Sequence, residues 1–437
     1  MITRRLRSFG LLALAALFLG PIAACERASS PSLSAPAASP DALAPADTEA
    51  SRAAPPPASP EAATSTKEPA PAASAPQRKG AMTAEAFSDL VRRLSEPDVS
   101  FFSDNTISNE TSYLQVASQI ADRARIGGAY IGVGPEQNFS YIALARPDLA
   151  FIVDIRRQNM LLHLLYKALF EEATSRPHFL ALLLGRPYNK ASDPGSSAGI
   201  ADVLAAAEKN PPDERELAAT HARLRERIER GYGVHLDTND KKNLEVTHRS
   251  FLKGQLGLRF ELHKANGRLY PTLRDLLSTT GATGAEQPAT PEAQARGSFL
   301  ATEEGFRFIK TMHEEHRIIP VVGDFAGDRA MPGVAAHLKE QGIPVSFFYV
   351  SNVEQYLFEP AVWPKWSRNV AAFPIDDKSF FIRAYLDQGR RHPAQMKGHR
   401  TATVLQRIAD FNARQQKKPY ESFWAVSTDS APETPAR

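Results

Sequence analysis

Between residues 129 and 172 the sequence alternates between two kinds of hydrophobic pattern, and that alternation limits the possible folds more than any other feature. A short apolar run over 129–133 precedes a helical pattern over 137–145, and a second apolar run over 149–153 precedes a strongly apolar helical stretch over 159–172. Apolar runs this short, separated by helices, read as strands of a parallel sheet covered on both faces, since parallel neighbours need a crossover of about a dozen residues or more. The alternation resumes downstream, with helices predicted over 303–316 and 334–341 and strands over 318–322 and 344–350. A short helix from Val353, a strand over 380–385, a helix over 401–412 and a strand over 423–426 complete the pattern.

The simplest assembly is one doubly wound α/β domain over 82–437, Rossmann-like with a mostly parallel sheet. A helical insertion over residues 187–296 separates its second and third strands, with a charged helix over 213–230 and a low-complexity loop over 279–295. Thr83 is placed to cap the first helix, whose Phe87, Leu90, Val91 and Leu94 fall on one face, and a second amphipathic helix is predicted over 111–125.

Ahead of that domain the chain has a different character. Arg4, Arg5 and Arg7 precede an uncharged apolar run over 9–18, and small residues lead to Ile22, Ala23, Ala24 and Cys25. This is the layout of a secretory signal, with an apolar run shorter than the ~20 residues of a membrane span. The tetrapeptide 22–25 resembles the lipobox of bacterial lipoproteins. The resemblance implies that residues 1–24 are removed as a signal peptide and that Cys25 carries the lipid, diacylglyceryl and palmitate. The partner is then a membrane, and the location is the cell envelope, on the periplasmic side of the inner or outer membrane. Residues 25–81 are mostly Ala, Pro and Ser without hydrophobic period, a composition suited to a disordered tether.

Composition removes several function classes. With Cys25 the only cysteine, an intramolecular disulfide, a multi-cysteine zinc site and an iron–sulfur cluster are all excluded. A net charge of +3, from 52 basic and 49 acidic residues, gives no reason to expect a nucleic-acid partner. No metal site is expected either: His313 and His316 are three apart, whereas a zinc helix needs four, and they read as the charged end of a helix. His163 reads as a packed core histidine.

Ligands of open α/β sheets bind beyond the carboxyl ends of the strands. The first strand runs into Gly132, Val133, Gly134, Pro135, Glu136, Gln137 and Asn138, where glycine permits a sharp turn and close ligand approach. The second ends at Asp154, placed to accept from ribose hydroxyls or to pair with Arg156 or Arg157. The third runs into Gly323, Asp324 and Phe325, and the fourth into Ser351, Asn352, Glu354 and Tyr356, which either cap the following helix or touch substrate. A polar cluster at 108–113 precedes the second helix, either capping it or covering the pocket.

Taken together, Gly132-x-Gly134, Asp154, Val321-Val322-Gly323-Asp324 and the run 345–352 resemble the core of class I S-adenosylmethionine-dependent methyltransferases. Along 127–170 the chain resembles more closely an uncharacterised bacterial branch with a Gly-x-Gly-x-x-Gln-Asn loop. The methyltransferase resemblance implies S-adenosylmethionine as cofactor, held by Gly132, Gly134 and Asp154, with Asp324 at adenine and Phe325 beside the ring. Glu136 and Asn138 stand where that family has further glycines, and with Gln137 they are the polar residues to contact the cofactor. Ser351 and Asn352 are the substrate candidates, and Glu354 and Tyr356 the only suggestions for a proton acceptor. The implied activity is methyl or related group transfer; the alternative is a non-catalytic envelope lipoprotein that uses the fold to bind a small nucleoside-type ligand or a protein. The export signal conflicts with that activity, because S-adenosylmethionine is a cytoplasmic metabolite: either the fold has lost the activity, or the ligand is a different nucleoside-like or small polar molecule, or the segment is not an export signal. For the anchor, Cys25→Ala is expected to shift the protein from the membrane fraction to the soluble fraction; unchanged partition would exclude lipid attachment at this residue.

Overall fold

The computed structural model describes residues 79–99, 101, 105–124, 127–260, 270–278, 295–387 and 389–429. The signal segment, Cys25 and nearly all of the tether lie outside the described residues, as does nearly all of the 279–295 loop. Six strands, β1 Ala129–Gly132, β2 Leu149–Asp154, β3 Ile318–Val322, β4 Val345–Ser351, β5 Phe380–Leu386 and β6 Thr401–Arg407, form one sheet in the order β3-β2-β1-β4-β5-β6. Neighbours from β3 to β5 are parallel, and only β6 runs against its partner. Every residue of β1, β2 and β3 is buried, as expected of strands that helices cover on both sides.

Four helices frame the first half: α1 Ala84–Leu94, α2 Ala117–Arg123, α3 Gln137–Ala145 and α4 Arg157–Glu172. α3 and α4 pack with the helix Glu303–Glu314, whereas α1 packs with Ala330–Glu340, which in turn meets Trp363–Ala371. The helices thus fall into two sets around a mostly parallel sheet, which makes the fold α/β. Between α4 and β3 the described chain is helical, and Arg176–Leu184, Glu214–Glu226 and Thr238–Gly254 all pack on α4. Thr83 caps α1 by accepting from the Ala86 N–H, and Asp213 caps Glu214–Glu226 in the same way through Arg215.

The C-terminal part departs from the expectation. Residues 401–407 form β6, not a helix, and the helix Ile408–Lys417 begins only after it. β6 forms because Thr401 to Arg407 pair residue for residue with β5, from Leu386 opposite Thr401 to Phe380 opposite Arg407. The expected strand at 423–426 is instead the helix Phe423–Asp429, whose Phe423 stacks on Tyr385 of β5. The second predicted helix opens as a 3₁₀ turn at Tyr113–Val116 before α2 starts.

One ion pair ties this half together. Glu354 and Arg383 are both fully buried and paired; Glu354 also accepts from Trp366 Nε1 at 3.1 Å, and Arg383 donates to Gln406 Oε1 at 2.6 Å. The guanidinium lies 4.3 Å from the centroid of Phe381. Removing one partner strands the other charge in the core, so Arg383→Met is expected to cost about 3–5 kcal/mol in urea denaturation. A midpoint equal to the parent's would mean that the pair contributes nothing to stability.

Candidate functional site

The loop from β1 into α3 is set by one amide. Asn138 Nδ2 donates to the carbonyls of Val133 (2.9 Å), Gly134 (3.1 Å) and Pro135 (2.8 Å), and its Oδ1 accepts from the Tyr130 hydroxyl at 2.8 Å. A Cβ at Gly132 would lie 2.0 Å from that Oδ1, so Gly132 is glycine to admit Asn138. Gly134 has φ +77°, a left-handed conformation that glycine adopts without strain. Its carbonyl also meets His163 Nε2 at 2.8 Å. Burial lowers the His163 pKa to about 4, so the ring is neutral and Nε2 carries the proton it donates.

A second anchor holds the β3 exit. Glu96, just beyond α1, accepts from the backbone N–H groups of Asp324 (2.9 Å), Arg329 (3.1 Å) and Ala330 (2.7 Å). The segment that follows crosses the end of β2, where the Val99 N–H meets the Ile155 carbonyl. At the end of β2, Asp154 Oδ1 accepts from the Arg156 N–H and Nε, and Oδ2 from Nη2 at 2.7 Å, with both side chains about 5% exposed. β4 shifts register between Tyr349 and Ser351, and Ser351 has φ +51°, strained for a side chain with a Cβ.

These strand ends enclose a cavity of about 430 Å³, within the range of small-molecule sites. Gly134 and Gln137 line it from β1 and α3, Asp154 and Arg156 from β2, Asp324 and Phe325 from β3, and Ser351, Asn352 and Tyr356 from β4. Ser108, Asn109 and Glu110 form part of its cover, held by Glu136 Oε1 accepting from the Ser108 N–H and by Thr401 accepting from the Ser112 N–H. Residues 105–256 and 265–435 match the domain-of-unknown-function family DUF7790. The chain belongs to that family. No curated protein matches it.

In this DUF7790 domain four of the sequence candidates lie off the cavity. Gly132 is filled against Asn138, and Asn138 is spent on the loop carbonyls. Glu136 is buried behind the loop, and Glu354 is sealed in its pair with Arg383, which withdraws it as a proton acceptor. Phe325 lines the cavity but also stacks on Trp366 at 5.4 Å between centroids. His313 is not a charged helix end: it is buried against Phe170, and desolvation holds its pKa well below the usual value. Among the described residues no cluster of three His, Cys, Asp or Glu could hold a metal.

Sequence reasoning did not single out Arg156 as a lining residue, nor Glu110 within its cluster, nor Phe260 and Tyr270, which the insertion contributes. The Asp154–Arg156 pairing was legible from the close spacing, but as a surface ion pair, whereas the structure buries it; the others reach the cavity through contacts distant in sequence.

Burial pushes the Glu136 carboxyl up to about 7, from an ordinary 4.5. The folded chain therefore binds more protons than the unfolded chain between those values, and stability falls as pH rises through that window. Burial raises Glu110 as well, in the same sense. Glu136→Gln keeps an acceptor for Ser108, and its urea midpoint is expected to fall less than the parent's between about pH 5 and about pH 8. Parallel pH profiles for the two proteins would exclude Glu136 as a source of the slope.

Proposed function

We propose that the cavity is the ligand site of a lipid-anchored envelope protein that resembles S-adenosylmethionine-dependent methyltransferases and binds a nucleoside-type ligand. The observation that carries this reading is the convergence of Gly134, Asp154, Asp324, Phe325, Ser351 and Asn352 from four strand ends onto one cavity. The strand order supports it too: it is that of doubly wound nucleotide-binding sheets, with an antiparallel last strand.

The lining suits such a cofactor. Three carboxylates, Glu110, Asp154 and Asp324, face one guanidinium, Arg156, a balance that favours a cation such as a sulfonium. Arg156 engages both Asp154 oxygens, yet a carboxylate has about four lone-pair sites, which leaves acceptor capacity for ribose hydroxyls. Ile107, Val133 and Phe325 supply apolar walls for a base. When bound, the cofactor supplies an electrophilic methyl group; the chain's work is to orient the acceptor from the β4 end, through Ser351 and Asn352, and to exclude water.

The second reading, non-catalytic ligand binding, is favoured by the sealing of Glu354 in its ion pair, which leaves Tyr356 as the only one of the two suggested proton acceptors at the cavity. Calorimetric titration of the full-length protein in detergent with S-adenosylmethionine and S-adenosylhomocysteine tests both. Micromolar binding, weakened by Asp154→Asn, is the expected result. No binding at millimolar nucleoside would overturn the nucleoside reading, and binding without methyl transfer to any acceptor offered would leave the non-catalytic one.

A further inference from the structure

The cavity wall between the cover and β4 contains two buried acceptors that find no donor among the described residues. Glu110, 1% exposed, accepts on Oε1 from the Tyr349 hydroxyl and from Ser351 Oγ at 2.6 Å, while its Oε2 has no partner. Gln137 donates through Nε2 to the same Tyr349 hydroxyl at 3.1 Å, and its Oε1 has no partner. The amide orientation follows from proton counting. The single Tyr349 proton goes to Glu110, so Gln137 must offer its NH₂ to that oxygen and keep its carbonyl oxygen uncommitted. Both residues line the cavity, and one hydroxyl joins them.

We propose that Glu110 and Gln137 form an amine subsite, so that the ligand of this cavity carries a primary amino or ammonium group. The inference rests on the reading of the cavity as a ligand site, and it does not require that the ligand be S-adenosylmethionine.

A buried acceptor left without a donor pays its full desolvation cost, so two on one wall mark a place where a ligand supplies hydrogens. A hydroxyl brings one hydrogen; an ammonium brings three and can serve both oxygens. Charge points the same way. The other buried carboxylates Asp154, Asp240 and Glu354 each have an arginine, namely Arg156, Arg157 and Arg383. Glu136 has none, but it lies off the cavity. Glu110 lines the cavity, and the groups acting on it are the hydroxyls of Ser351 and Tyr349, with Tyr130 and Tyr141 as further titratable neighbours and no cation among them. A cationic ligand completes this site electrostatically, in the way that an arginine completes the others.

The amine can belong to the amino-acid tail of an adenosyl ligand or to a separate acceptor molecule, and the experiment separates them. Binding of S-adenosylhomocysteine, of 5′-methylthioadenosine, which lacks the amino-acid tail, and of benzylamine against benzyl alcohol is measured calorimetrically on the full-length protein and on Glu110→Gln. If the tail is recognised, Glu110→Gln weakens S-adenosylhomocysteine about tenfold or more and leaves methylthioadenosine unchanged. If a separate amine is recognised, the variant spares both nucleosides and weakens benzylamine by a similar factor, while benzyl alcohol binds neither protein appreciably. Glu110→Gln is isosteric and keeps an oxygen for Tyr349 and Ser351; should it fail to fold, Gln137→Leu is measured on the same four ligands. Nucleoside binding indifferent to both substitutions, with no amine binding that depends on Glu110, would overturn the amine subsite and leave the nucleoside reading standing. Amine binding that depends on Glu110, with no nucleoside binding, would do the reverse. Binding of none of the four would overturn both.

Discussion

The side-chain amide of Asn138 is the interaction on which the cavity end of the sheet depends. By gathering the carbonyls of Val133, Gly134 and Pro135 it converts a turn that glycines would otherwise leave loose into a fixed floor. The requirement spreads outward. Gly132 must lack a side chain, Tyr130 must carry a hydroxyl to orient the amide, and His163 must carry a proton on Nε2 to complete the Gly134 carbonyl. A polar residue thus does the work usually done by further glycines, and it does so by enthalpy and geometry rather than by conformational permission.

The remaining walls are held by anchors that reach across long stretches of chain. Glu96 fixes the β3 exit from beyond α1, and Thr401 at the start of β6 holds the cover through Ser112. Because β6 is antiparallel, its first residues lie at the same end of the sheet as the last residues of β5, which is also the cavity end of the parallel strands. The antiparallel strand is therefore more than an edge: it brings the Thr401 hydroxyl to the cover, where a parallel strand would have left it at the opposite end.

Much of this was legible in the sequence where the signal is local. The strands β1 to β4 are short, mainly apolar runs between helical patterns, interrupted only by Ser346 and by the polar ends Asp154 and Ser351, the pattern of a parallel sheet buried on both faces. β6 misled because Val404, Leu405, Ile408 and Phe411 fall at helical spacing, although the helix begins only at Ile408; pairing with β5 overrides that spacing for the residues before it. Strand ends pointed to Gly134, Asp154, Asp324 and Ser351, since loop residues there are where such sheets bind ligands. Glu110 could not be placed in the same way, for its contacts run to Tyr349 and Ser351, more than two hundred residues away. Glu136, Asn138 and Glu354 look like site residues as letters, and only their partners reveal that they brace the site from behind.

The point at which the chain enters the folded unit has its own consequence. Lys79 reaches the Gly342 carbonyl, the Met82 N–H meets the Glu315 carbonyl, and Gly80 packs beside Asp148. Those partners precede β4, β3 and β2, so the N-terminal segment joins at the amino ends of the parallel strands, while the cavity lies beyond their carboxyl ends. The residues from Lys79 to Met82 therefore brace the pole of the domain remote from the cavity mouth, and their hydrogen bonds to Gly342 and Glu315 leave that mouth uncovered.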